Sequence, residues 1–279
     1  MIQWLSGLSL TGIVLAVLGS MLLAALAGYA LKSWERRRAR RRDEETEWSS
    51  SQESYLVGSM LGLLALLLAF SFSMALGRYE ERRHLVTQEA NAIGTAYLRS
   101  QLLDEPHRTR LSVLLVQYTD NRIALAAAPS DQTERLLSRN DRLLTDIWSA
   151  VVAARDSALA RGISTPLLMT FNEVIDLDTE RKVARTVRMP AEVLLFLYGF
   201  LVLTAAVLGY VLEERRSRLG AGVLFLLLSL YVSIIADLNR PISGNIRESQ
   251  EPMKMLRRSL AAQPPAAFDQ FRTGEAGAR

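Results

Sequence analysis

Four uncharged apolar runs, Leu8–Leu31, Tyr55–Gly77, Val193–Leu212 and Leu219–Ala236, constrain this chain more than any other feature. Even the shortest reaches about 27 Å as a helix at ~1.5 Å per residue, close to a hydrocarbon core of ~30 Å. A soluble helix of that length carries charge on its outward face, and these runs carry none. They predict four membrane-spanning helices, in two hairpins separated by a long polar insert. Ala25-Leu26-Ala27 has the small-x-small form of a cleavage site, but MIQWLSG contains no base and the run exceeds a signal core of ~7–15 residues. The first run is expected to remain as a span.

The polar segments divide the chain into 1–77, a first hairpin with the basic loop 32–54; 78–191, a helical extramembrane domain; 192–236, a second hairpin; and 237–279, an extramembrane tail expected to be partly disordered. The loop KSWERRRARRRDEETEWSSSQES reads as a solvated, partly disordered connection. In the insert, one helix continues from the second run to Leu103, ahead of Pro106, and another covers Arg108–Ala128 and stops at Pro129. A third opens with Asp131 and Glu134 spaced as a capping box and repeats Leu136, Leu137, Leu143, Leu144, Ile147, Trp148, Val151 and Val152 on one face, up to Gly162. A fourth starts at Thr165-Pro166 and carries Phe171, Val174, Ile175 and Val183 towards Pro190. No alternating strand pattern occurs, so the expected fold class is all-α.

The 33 Lys and Arg against 29 Asp and Glu bear on orientation rather than on nucleic acid, because no aromatic side chains interleave with the bases as a binding platform requires. Loop 32–54 holds seven bases, residues 213–218 hold three, and the residues before Leu8 hold none. That asymmetry favours cytoplasmic short loops, with both termini and the insert outside. Arg78, Arg82 and Arg83 after the second run, and Arg181, Lys182, Arg185 and Arg188 before the third, pull the other way. The absence of Cys excludes disulfides and thiolate metal sites. His84 and His107 have no ligand at metal spacing, and HExxH, GxSxG, GxxxxGK[ST] and GxGxxG patterns are missing. No catalytic residue, metal or cofactor is expected. Glu80, Glu81, Glu89, Glu173, Asp176 and Asp178 read as the solvated face of amphipathic helices.

Four motifs remain. In the second run, Gly58, Gly62, Ala65, Ala69, Ser73 and Gly77 form a ridge of small residues. Such a ridge lets helices approach closely, or it faces a lumen in which Leu66, Phe70 and Met74 form a constriction that gates by dewetting. Ala65, Leu66, Ala69, Phe70, Ser73 and Met74 are the pore candidates on the second reading. The junction RYEERRH is either an interfacial anchor with Tyr79 in the headgroup belt or a charged pore mouth built on Arg78, Glu81 and Arg82. At the end of the fourth run, Asp237 and Arg240 lie at the interface, where an ionisable group usually has a partner. Arg82 or Arg83 is the expected partner, making Arg83, Asp237 and Arg240 a clamp. In EANAIGTAYLRS, residues 89–100, Gly94 among small neighbours costs a helix about 1 kcal/mol against alanine. It marks a seam, lined by Glu89 and Asn91, against the insert's own helices or an adjacent subunit.

The strings LGLLALLLAFSFSMALGRYEERRHLVTQEANAIGTAYLRSQLL and ADLNRPISGNIRESQEPM resemble the bacterial bestrophin-like domain family, an integral-membrane family without an assigned activity, over Leu56 to Met255. Through it the chain distantly resembles the bestrophins, pentameric ion channels whose second span lines the pore and runs into a helical domain. RYEERR resembles their charged post-span segment, and DLNRP resembles the acidic-Pro end of their fourth span. The signature's Trp pair is replaced by Glu80 and Glu81, and the basic loop 32–54 departs from a short outer loop. The resemblance implies a four-span, homo-oligomeric channel for inorganic ions in the bacterial inner membrane, with its helical domain in the cytoplasm, opposite to the short-loop reading. Glu80, Glu81 and Glu89 suit cations as well as the resemblance suits anions. A non-conducting scaffold or sensor, anchored by its spans and binding a partner through its helical domain, is the competing expectation.

Overall fold

A computed structural model of the chain describes residues 9–40, 50–212, 214–240 and 244–272. The helices are α1 Leu10–Arg40, α2 Ser50–Ser100, α3 His107–Ala127, α4 Ser130–Ala153, α5 Arg155–Ala160, α6 Ser164–Thr186, α7 Ala191–Val211, α8 Arg215–Leu238, α9 Glu251–Ala262 and α10 Asp269–Arg272, with a 3-10 turn at Pro265–Phe268. No strand occurs among the described residues, and four helices are long and apolar enough to cross a membrane. The fold is all-α, as the periodicity predicts. Basic loop 32–54 is shorter than expected, because α1 continues through Arg40 and α2 begins at Ser50; Lys, Arg and Glu are good helix formers. Residues 41–49, with its acidic block, lie outside the described residues.

The chain divides into two units, Met1–Tyr79 with Val187–Arg247, and Glu80–Thr186 with Glu248–Arg279. In the first unit, α1 packs along α7 and α8. The α1–α7 crossing is closed by two glycines: a Cβ on Gly28 would run into the Ala206 carbonyl, and one on Gly209 into the backbone of Ala25. Lipid gives no hydrophobic drive for helix association, so such backbone approach supplies the packing. Ile13, Val17, Met21, Leu64, Leu68, Leu197, Leu201 and Phe225 fill the space between the helices.

In the second unit, Ile93, Ala96, Leu111, Leu115, Ile147, Leu167, Phe171 and Val174 bring the end of α2 together with α3, α4 and α6 around one closed core. Helix starts and stops follow the punctuation: Pro106 precedes α3, Pro129 precedes α4, and Gly162, at φ +68°, ends α5. Two expectations need correction. Asp131 does not cap α4, whose N-cap is Pro129 with no side-chain bond; the helix starts at Ser130, leaving Asp131 inside the first turn. Trp148 and Val152 are exposed, because the buried stripe of α4 follows Asn140, Leu143, Ile147 and Ala150.

The tail is more ordered than its composition suggests. Met253 and Leu260 of α9 are buried in the core of the second unit, and Arg257 pairs with Asp120 of α3 at 2.6 Å. Beyond α9, the Tyr97 hydroxyl donates to the Gln263 carbonyl at 2.8 Å and Phe268 packs edge-on against the Tyr97 ring.

Candidate functional site

Helix α2 is the backbone of both candidate sites. It has 51 residues, about 76 Å at ~1.5 Å each. Within the first unit its buried stripe is Leu64, Leu68, Ser71 and Ala75. The six pore candidates, Ala65, Leu66, Ala69, Phe70, Ser73 and Met74, are all exposed, with Phe70 at 63%. The glycines of the same ridge, Gly58, Gly62 and Gly77, meet nothing within 4 Å of a built Cβ. The chain therefore does not use its small-residue ridge to pack its own spans; the glycine-mediated crossing is that of α1 with α7.

The charged residues after the span separate. Arg78 is partly buried and Glu81 exposed, whereas Arg82 is buried and its Nε lies 2.5 Å from the Glu248 carboxylate. Arg83 is exposed. Asp237, the expected clamp acid, is buried, and its carboxylate accepts the backbone N–H groups of Asn245 at 2.9 Å and Ile246 at 3.0 Å. Two residues on, the Asn239 amide oxygen accepts the Met189 N–H at 2.8 Å. The sequence DLN thus ties the end of α8 to the segments on either side of the second hairpin. Arg240 is partly buried beside Asp237; burial and Arg188 lower its guanidinium, against the pull of the carboxylate.

At the seam around Gly94 the neighbour is the chain's own tail: a Cβ there would sit 3.4 Å from a methyl of Leu256. Asn91 faces solvent. Glu89 does not lie on a solvated face, and neither does Asp178. Glu89 is 0% exposed and Asp178 1%. Arg122 reaches Glu89 at 2.9 Å and Asp178 at 3.0 Å, Arg181 pairs with Glu89, and the Tyr118 hydroxyl donates to Glu89 at 2.6 Å. The Asn140 amide donates to Asp178 at 2.9 Å. Lys182 bridges Asp178 and Asp141 at 2.7 Å each. Four helices each contribute to this one polar layer.

Burial alone would raise the Glu89 carboxyl, but the Arg122 and Arg181 guanidiniums and the Tyr118 hydroxyl outweigh it and hold it below the usual carboxylate range. Burial and the Glu89 charge push the Tyr118 hydroxyl well above its ordinary value, so it keeps its proton and donates it to the carboxylate. In the sequence these charges look like surface residues, yet their register gives them away. Glu89 continues the stripe of Val86 and Ile93, Arg122 that of Tyr118 and Leu125, and Asp178 that of Phe171 and Val174. No group of three or more His, Cys, Asp or Glu side chains that could hold a metal ion occurs among the described residues.

Residues 21–253 match a family whose description is Bestrophin-like domain. Among solved structures, a tyrosine-to-alanine mutant of a bacterial bestrophin homologue from Klebsiella pneumoniae superposes with a TM-score of 0.62 at 17% identity, over 89% of this chain and 98% of that one. A tryptophan-to-alanine mutant of the homologue gives 0.61 at 17% identity, over 88% and 97%. At that identity the likeness concerns the fold. No curated protein matches the chain.

Proposed function

The chain belongs to the bestrophin-like domain family, and from that premise we propose that it is a homo-oligomeric membrane channel for inorganic ions, with α2 lining the pore. The observation that carries this reading is the exposed stripe of α2. The span's small and apolar residues, Ala65, Leu66, Ala69, Phe70, Ser73 and Met74, are left uncovered by the chain's own helices. Copies of the chain arranged around an axis would give that stripe a lumen, with Leu66, Phe70 and Met74 as an apolar neck that gates by dewetting. Arg78 and Glu81 then stand at its charged mouth, while Arg82 is committed to Glu248. The proposed ring is a pentamer in the bacterial inner membrane, as the resemblance to bestrophins implies.

Reconstitution into liposomes tests the proposal. Purified protein should carry ion flux, and Phe70→Ala should raise it severalfold by widening the neck. If no ion passes and native mass measurement gives a monomer or dimer, the reading fails, and a non-conducting scaffold or sensor takes its place. Reporter fusions after Gln52 and after Ala128 decide on which side of the membrane the second unit lies.

A further inference from the structure

Beside the buried layer, the second unit has a small cleft, partly open to solvent, walled by Arg82, Arg181, Arg185 and Glu248 over an apolar floor of Leu85, Val86 and Ala184. The charges around it do not balance. Its cations and those of the adjoining layer are Arg82, Arg122, Arg181, Lys182 and Arg185; the anions are Glu89, Asp141, Asp178 and Glu248. Arg82 is paired with Glu248, Arg122 with Glu89 and Asp178, Arg181 with Glu89, and Lys182 with Asp141 and Asp178. Arg185 makes no hydrogen bond or ion pair within 4 Å among the described residues. It is nonetheless partly buried, and burial together with the neighbouring Arg181 and Arg122 brings its guanidinium down to about 10.

The last turn of α6 gives Arg185 one ordinary role, a cation near the helix's C-terminal carbonyls. That accounts for an arginine at the surface, not for one drawn in beside two other arginines. A buried charge calls for a counter-charge, and a planar guanidinium matches an oxyanion with paired N–H donors. We propose that this cleft binds a small oxyanion, a phosphate group or a carboxylate, held chiefly by Arg185 and secondarily by Arg82 and Arg181. Glu248 competes with the ligand for Arg82. The site is independent of conduction along α2, so failure of either proposal leaves the other standing.

The test uses the full chain in detergent micelles at constant ionic strength, with inorganic phosphate, acetate or phosphatidylglycerol as probes and chloride as the reference. Calorimetric titration and thermal unfolding should show saturable binding of at least one oxyanion probe. Arg185→Gln should weaken that binding at least tenfold while its ligand-free melting temperature stays equal to the wild type or rises, since an unpaired cation has been removed. Glu248→Gln should tighten binding. A response to phosphatidylglycerol alone assigns the oxyanion to a lipid headgroup; a response to phosphate or acetate assigns it to a soluble ligand. The proposal is overturned if no probe saturates, if Arg185→Gln binds as the wild type does, or if Glu248→Gln weakens binding.

Discussion

The two units solve opposite packing problems. In the first, α1 and α7 approach through Gly28 and Gly209, and large apolar side chains such as Leu23, Phe70 and Phe196 point outward. In the second, the core is closed, and at its centre lies a layer of ions, Glu89, Arg122, Asp178 and Arg181, all nearly inaccessible. Lipid takes outward-facing leucines without cost but leaves helices to find backbone contact; water drives apolar surface inward and tolerates buried charge only where it is fully paired. The same chain therefore spends its glycines on packing in one unit and its ion pairs in the other.

The strongest way to break this contrast is at Glu89. Glu89→Gln leaves Arg181 without its carboxylate and Arg122 with Asp178 alone, and removing one partner of a buried ion cluster costs about 3–5 kcal/mol. Its folded-state carboxyl is held below the ordinary value of 4.5. The stabilisation it supplies is complete above that value and is lost as the pH falls through the lowered one. Denaturant unfolding of wild type and variant should therefore differ most near neutrality and converge in acid; a constant difference would detach the effect from the charge. A smaller effect is expected in the first unit. Gly28→Ala drives a methyl into the Ala206 carbonyl and should cost about 1–3 kcal/mol as overpacking. Gly62→Ala meets nothing within 4 Å and, in a single chain, should stabilise α2 by up to ~1 kcal/mol of helix propensity. If Gly62→Ala instead disrupts assembly in native mass measurement, the ridge on α2 packs against a second copy. Smallest of all is Gly94→Ala, whose new methyl stands in ordinary contact with Leu256. A melting temperature unchanged or slightly raised is expected, and a clear fall would mean that α9 sits closer than the structure has it.

Much of the fold was legible because its signals are local. Apolar runs located the spans, and Pro106, Pro129, Gly162 and Pro190 punctuated the insert close to the observed helix ends. The partners of each span were not legible: α1 is nearest to α2 in sequence yet packs along α7 and α8, a choice made by Gly28 and Gly209, each of which admits the backbone of the facing helix across a long separation. Nor was the ion layer, since each of its charges looks like an ordinary surface residue until four helices are brought into register. The exposed stripe of α2 was legible as a ridge of small residues, but the sequence left open whether it packs or lines a pore. One chain leaves that face uncovered. In the tail, the Ala and Pro content hides a helix, though Met253, Leu256 and Leu260 repeat at helical spacing.

That tail helix has a consequence for biosynthesis. Met253 and Leu260 belong to the core formed by residues 80–186, but they leave the ribosome only after α7 and α8 have been made. The second unit must wait through insertion of the last hairpin with a gap in its interior. Domains generally fold as units in order of synthesis; here the earlier unit is finished by the later segment, so its final closure reports that all four spans have already been translated.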